Sequence, residues 1–367
     1  MAAKRVLVVD DSASMRSALR KLISMDDELE VVGEAEDAFK ARDAIKALHP
    51  DVITLDVEMP GMDGISFLSN LMRLRPMPVI MVSSLIGNNA EVTMKALELG
   101  VVDMIPKPTG GNTQQFGEQL REKLRVAASR TAAQLARGRI ASQAPAPIAA
   151  GSSGVGVNRI IAIGASTGGT TAIKEVLREL PGDLPPIVIS QHIPEKFSGP
   201  FAVSTDRMTE VSVSEAQDGQ PLRRGHAYIA PGGHHLKIVK HGAEYICRID
   251  DGERVNGHRP SVDVMFDSLI EVMGKRLVAV LLTGMGNDGA KGLRRIRDAG
   301  GYTVAQDEET SVVWGMPREA VKLEAACKVL PLPKVAGLIV GWSTRAAAHE
   351  SKTKGRKAST AALAGDS

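Results

Sequence analysis

Three residues of the second half of the chain have the types a nucleophilic hydrolysis needs: Ser166, His192 and Asp288. A serine hydroxyl is a weak nucleophile until a neighbouring base takes its proton. Imidazole is that base near neutral pH, and a carboxylate fixes its tautomer and stabilises the imidazolium. Ser166 lies in Gly164-Ala165-Ser166-Thr167-Gly168-Gly169, between an apolar run (159–163) and a helix-like stretch (170–180). Strand, Gly-flanked turn and helix match a G-x-S-x-G elbow, but the same pattern describes loops that cradle phosphate. The first half offers a different set, Asp10, Asp11 and Asp56 with Ser83 and Lys107. Crowded carboxylates suit a hard cation such as Mg²⁺, and a lysine and a hydroxyl beside them suit a phosphoryl group.

These residues need elements to bring them together. Over residues 1–127, strand-like runs at 5–9, 30–34, 52–55, 79–82 and 101–105 alternate with helix-period segments at 14–25, 38–48, 64–74, 89–99 and 113–127. Such alternation predicts a five-stranded parallel sheet of the flavodoxin-like, doubly wound kind, with ligands at the carboxyl ends of its strands. Asp10, Asp11, Asp56, Ser83 and Lys107 all fall at those ends. A single Asp there is most often a helix cap, but five polar residues on one rim suggest a site. Residues 128–157 lose periodicity and become rich in Ala, Pro, Gly and Ser, as a flexible linker does.

Residues 158–345 read as a second doubly wound, mainly parallel α/β domain. Buried strands are expected at 186–190, 277–282 and 302–305, and a helix at 290–298. An antiparallel meander is expected from 226–230, 235–240 and 244–250. Ser166, His192 and Asp288 then stand at the ends of three strands, while Gly284, Gly286 and Gly289 let backbone approach the reacting carbon. Residues 346–367 read as a disordered tail. His226, His234, His235, His241 and His258 show no metal-binding spacing.

Composition excludes several classes. The chain has 367 residues, a net charge of +2 and two cysteines, Cys247 and Cys327, in no paired or metal-ligand spacing. Nothing in that balance argues for nucleic acid, and no apolar run reaches the eighteen or so residues of a membrane span. No leader peptide is evident, so a cytoplasmic location is expected.

The first half resembles the response-regulator receiver domain, through Val8-Val9-Asp10-Asp11-Ser12, 55–64 (Leu55-Asp56-Val57-Glu58 to Gly64), Val82-Ser83 and Lys107-Pro108. The resemblance implies that Asp56 accepts a phosphoryl group from a sensor histidine kinase of the CheA type. It further implies Mg²⁺ held by Asp11, Asp56 and the Glu58 backbone carbonyl, with Asp10 acting through water, Ser83 sensing the phosphoryl group and Lys107 pairing with it. The second half resembles the chemotaxis methylesterases of the CheB family. The matching motifs are 163–169, Gln191-His192-Ile193-Pro194, 229–236, His258-Arg259-Pro260-Ser261-Val262-Asp263, 282–289 and Val313-Trp314-Gly315-Met316-Pro317. Ile193 and Trp314 depart from the family's Met and Tyr.

That resemblance implies a phosphorylation-regulated hydrolase that demethylates glutamate methyl esters, releasing methanol, and deamidates glutamines on methyl-accepting chemoreceptors. Ser166 would be the nucleophile, His192 the base and Asp288 its orienter. The Thr167 and Met285 backbone N–H groups would bind the oxyanion, and no cofactor would serve the ester step. The unphosphorylated receiver is expected to cover the Ser166 rim. The alternative is a response regulator whose C-terminal half only binds a nucleotide or a receptor.

Overall fold

The computed structural model describes residues 3–84, 92–93, 95–96, 99–108, 113–129 and 157–344. The linker and tail expectations, and most of the helix expected at 89–99, lie outside the described residues. Chain contacts divide the molecule into two compact units.

In the first, strands β1 (Lys4–Val9), β2 (Leu29–Ala35), β3 (Val52–Leu55), β4 (Val79–Ser83) and β5 (Asp103–Pro106) form a sheet of order β2-β1-β3-β4-β5. Every neighbouring pair is parallel. Val6–Val9, Val52–Leu55 and Val79–Ser83 are buried without alternation, as strands covered on both faces must be. The helices are α1 (Ala13–Ile23), α2 (Ala38–Leu48), α3 (Gly64–Leu74) and α4 (Thr113–Ala128). Ser12, Asp37 and Asp63 cap the first three by accepting from the amides of Met15, Lys40 and Ser66. The capping role that any strand-end Asp could have had therefore falls to these residues and leaves Asp10, Asp11 and Asp56 for another purpose. Strand order reverses between β1 and β3, where Asp10 and Asp56 emerge.

The second unit holds a sheet of order β14-β13-β12-β6-β7-β9-β8. Its strands are β6 (Ile160–Ala165), β7 (Ile187–Gln191), β8 (Ser212–Glu215), β9 (His226–Ile229), β12 (Leu277–Leu281), β13 (Tyr302–Gln306) and β14 (Lys328–Leu330). All pairings within it are parallel. The antiparallel part is a separate hairpin, β10 (His235–His241) with β11 (Glu244–Asp250). The expected meander thus loses its first member: the run at 226–230 pairs in parallel with β7 and β8. Pro231 and Gly232-Gly233 end β9 and carry the chain to the hairpin instead of turning it back. Helices α5 (Gly169–Arg178), α6 (Glu195–Asp206), α7 (Val262–Met273), α8 (Ala290–Asp298) and α9 (Met316–Lys322) follow in this half of the chain, and residues 335–344 are helical as well.

The chain runs outward from β6 through β7 and β9, then returns to lay β12 on the other side of β6. Ser166 therefore leaves the central strand at the switch point, flanked by the strand that delivers His192 and the strand that delivers Asp288. Phe266, Leu269, Leu281, Leu293 and Met316 pack into the core beneath that rim.

Candidate active site

The register explains why His192 stands beside Ser166. Ala165 pairs with Gln191 at the end of the β6–β7 ladder, and the His192 N–H donates to the Ala165 carbonyl at 3.1 Å. Gln191, itself buried, donates from Nε2 to the carbonyls of Ser166 and His192, each at 2.9 Å. One amide thus ties the serine turn to the histidine turn. On the other side, the Ser166 N–H donates to the Thr283 carbonyl at 3.0 Å. Gly168 turns the chain toward α5 with a φ of +77°, a conformation favourable only for glycine. A Cβ on Gly284 would lie 2.2 Å from Met316 Sδ and 2.8 Å from Ser166 Cβ, so only glycine lets the 283–289 loop lie against the serine.

Asp288 is 1% exposed and is held by five donors. Oδ2 accepts from His192 Nε2 at 2.8 Å and from the Val262 N–H at 2.6 Å. Oδ1 accepts from Asn256 Nδ2 and Ser261 Oγ, each at 2.8 Å, and from the Asp263 N–H at 3.3 Å. Two of these donors are the first amides of α7, so the carboxylate occupies a helix N-terminus, where the macrodipole favours an anion. That helix is not the one following it. The N-cap of α8 is Gly289, with no side-chain cap, so a capping role for Asp288 toward its own helix does not apply. Burial works to raise the Asp288 pKa. The hydrogen bond and charge of His192, with Asn256 and the Val262 amide, outweigh burial and hold the pKa well below the usual carboxylate range.

His192 gives Nε2 to Asp288, and its Nδ1 is buried with no hydrogen-bond partner among the described residues. Its ring lies against that of His258, with centroids 3.7 Å apart and planes 11° from parallel. Ser166 is half-buried, and its Oγ makes no hydrogen bond to His192 among the described residues. Thr167 is buried on the turn directly after it. Met285 is half-buried and follows Gly284, where a Cβ would be 3.0 Å from the Ser166 nitrogen. The expected pair His192–Asp288 is therefore in direct contact, and Gln191 ties the Ser166 turn to it. Sequence reasoning missed Asn256, Ser261 and Gln191, which carry no catalytic signature. Gln191 and Ser261 were marked only by membership of the motifs at 191–194 and 258–263, and Asn256 by nothing at all. His235 proves structural: Nε2–H donates to the Glu253 carbonyl at 2.8 Å and Nδ1 accepts from the Ser261 N–H at 3.1 Å.

In the other unit, oxygens of Asp10, Asp11 and Asp56 lie within 4.8 Å of one another. Lys107 Nζ sits 2.6 Å from Asp56 Oδ2 and 2.9 Å from Asp10 Oδ2. Asp56 Oδ1 accepts from the Val57 N–H at 2.7 Å and leaves Oδ2 toward the lysine. Burial pushes the Asp10 pKa up against the counteracting Lys107 ammonium. Burial works to lower the Lys107 pKa, but its bonds to Asp56 and Asp10 raise it overall. Two buried carboxylates and an exposed third facing one lysine leave a surplus of negative charge, which fits a divalent cation. Ser83 ends β4, fully buried, and its carbonyl accepts from the Lys107 N–H at 3.2 Å. The Glu58 side chain accepts from Ser84 Oγ at 2.5 Å.

Two family models match: the response regulator receiver domain over residues 6–116 and CheB methylesterase over residues 161–339. A protein-glutamate methylesterase/protein-glutamine glutaminase of Pseudomonas aeruginosa is 53% identical over 343 residues, covering 93% of this chain and 97% of that protein. One from Saccharophagus degradans is 52% identical, covering 92% and 97%. The solved Thermotoga maritima CheB methylesterase catalytic domain is 36% identical, with a TM-score of 0.49, covering 50% of this chain and 98% of that one. Among the described residues no helix is long and apolar enough to cross a membrane. With relatives this similar along nearly the whole length of both proteins, the chain belongs to the protein-glutamate methylesterase/protein-glutamine glutaminase family, a receiver domain joined to a CheB methylesterase domain.

Proposed function

We propose that the chain hydrolyses glutamate γ-methyl esters, and deamidates glutamines, on methyl-accepting chemoreceptors, using Ser166, His192 and Asp288. The observation that carries this reading is the Asp288–His192 bond at 2.8 Å beside the β6 elbow, with the second imidazole nitrogen buried and unbonded. Since Nε2 is committed to Asp288, Nδ1 is the base. It takes the Ser166 proton as Oγ adds to the ester carbonyl, and the hydrogen bond to Nδ1 forms when substrate closes the site. Asp288 stays ionised and stabilises the imidazolium. The oxyanion is bound by the Thr167 and Met285 N–H groups, each worth on the order of 10²–10³ in rate. Nδ1–H then protonates the departing methoxide to methanol, or the departing amide to ammonia. Water, deprotonated by the same nitrogen, releases the glutamate carboxylate and Ser166.

Control belongs to the first domain. A sensor histidine kinase of the CheA type supplies the phosphoryl group to Asp56. Asp10, Asp11, Asp56 and the Glu58 carbonyl would hold Mg²⁺, which neutralises phosphoryl oxygens when bound. Lys107 pairs with the acyl phosphate and the Ser83 hydroxyl responds to it. Phosphorylation relieves inhibition of the Ser166 site.

The test is methanol release from methylated receptor membranes alongside receptor binding. Ser166→Ala should abolish release and keep binding. A variant that still releases methanol at the wild-type rate sinks the nucleophile assignment, and a chain whose C-terminal half only binds would release none at all.

A further inference from the structure

The His258 ring has no role in the steps above, yet it covers one face of the His192 ring at 3.7 Å. A single hydrogen bond, Nε2 to Asp288, leaves an imidazole able to rock about the bond axis. Rocking would change where the unbonded Nδ1 points. A parallel ring in van der Waals contact opposes that motion, because tilting either ring drives atoms into the other.

His258 is itself held by a short closed turn. The Val255 N–H donates to the His258 carbonyl at 3.1 Å, and the His258 N–H donates back to the Val255 carbonyl at 3.0 Å. Asn256, at the tip with φ +53°, donates from Nδ2 to Asp288 Oδ1 and to Asp263 Oδ2, each at 2.8 Å. The same turn therefore carries both a donor to Asp288 and the ring that covers one face of His192. Farther along, Arg259 Nη1 donates to the carbonyls of Asp251 and Gly252 at 2.8 and 3.0 Å, and the Ser261 N–H is pinned to His235.

We propose that His258 is a positioning residue, whose ring, laid on His192 by the Val255–His258 turn, holds Nδ1 of His192 in line to take the Ser166 proton. This rests on reading His192 as the base. The role requires a flat ring and not a titrating one, and that distinction makes it testable.

The experiment measures kcat and KM for methanol release from methylated receptor membranes by the full chain, comparing wild type, His258→Ala, His258→Phe and His192→Ala. His258→Ala should lower kcat about 10- to 100-fold, the scale expected of a base misplaced by around 1 Å, with KM nearly unchanged. His258→Phe should recover most of that kcat. A wild-type kcat in His258→Ala, a loss confined to KM, or a Phe variant as slow as the Ala variant would overturn the proposal. If the Ala variant melts at the assay temperature, the Phe variant decides alone: a near-wild-type kcat supports the ring's role and a slow one contradicts it. His192→Ala separates the two levels. Wild-type release there removes the base assignment itself, whereas an inactive His192→Ala beside a fully active His258→Ala removes only the positioning role.

Discussion

At the scale of single residues, the site is organised less by the reacting groups than by the donors around Asp288. Asn256→Ala removes one of them, and with it the amide that bonds both the Asp263 and the Asp288 carboxylates. Hydrogen bonds to a charged group contribute about 1.5–3 kcal/mol, so melting should fall by several degrees and kcat by roughly tenfold. Thermal unfolding and methanol release check both. The pH dependence has a definite sign. The folded-state pKa of Asp288 is depressed, so its contribution to stability is full above the unfolded value of about 3.9 and is lost as pH falls through the folded one. The two thiols differ in burial. Burial, with the nearby Asp218 charge, pushes the Cys247 thiol up to about 12, while Cys327 is exposed. At pH 8 only about one Cys247 in 10⁴ is then a thiolate, so a thiol reagent should titrate one group in the native chain and two after denaturation. A second fast native thiol would contradict the burial of Cys247. Ser166, His192 and Asp288 stood out in the sequence because chemistry restricts a nucleophile, its base and an orienting acid to few residue types. Asn256, Ser261 and His258 did not, since an amide, a hydroxyl or a ring in an irregular loop has no periodicity or spacing to mark its contacts.

At the scale of elements, β6 places Ser166, the β6–β7 ladder places His192, and the start of α7 receives Asp288. Sequence periodicity located β6, β7 and β12 to within two residues, because strands buried on both faces are unbroken apolar runs bounded by Gly, Pro or charge. It misread the 226–230 run as part of a meander, since turn residues at Pro231-Gly232-Gly233 say that a strand ends and not with what it pairs. The short edge strands Ser212–Glu215 and Lys328–Leu330 were invisible for a different reason: they bury little and run over too few residues to show a period. The contact of the 283–289 loop with the serine turn gives a sharp test. Gly284→Ala forces a methyl group against Met316 Sδ and Ser166. Overpacking of this kind costs about 1–3 kcal/mol, and it pushes the Met285 N–H away from the serine. Methanol release should fall by at least about 10², the lower bound for losing an oxyanion donor. A variant that is folded and fully active would remove Met285 from the oxyanion site.

Across the whole chain, two parallel sheets each gather polar side chains at a switch point: three carboxylates and a lysine in one, Ser166 beside the His192–Asp288 pair in the other. The parallel sheet of residues 4–106 was legible from the βα alternation, because parallel sheets need long crossovers that a sequence displays as regular spacing. Coupling between the domains is a matter for solution measurement. Asp11 is exposed, so Asp11→Asn should leave the metal-free melting temperature of the chain within a degree or two while abolishing the rise that Mg²⁺ produces in the wild type. A Mg²⁺-dependent rise of wild-type size in that variant would move the cation elsewhere. Ester hydrolysis at Ser166 under the control of Asp56 phosphorylation can be read in the release of methanol from methylated receptor membranes, with and without a small-molecule phosphodonor and Mg²⁺. The wild type, Asp56→Asn and Ser166→Ala are compared. The account predicts release that the donor stimulates in the wild type, release that the donor leaves unchanged in Asp56→Asn, and none under either condition in Ser166→Ala. Stimulation that persists in Asp56→Asn, or methanol released by Ser166→Ala, would contradict it.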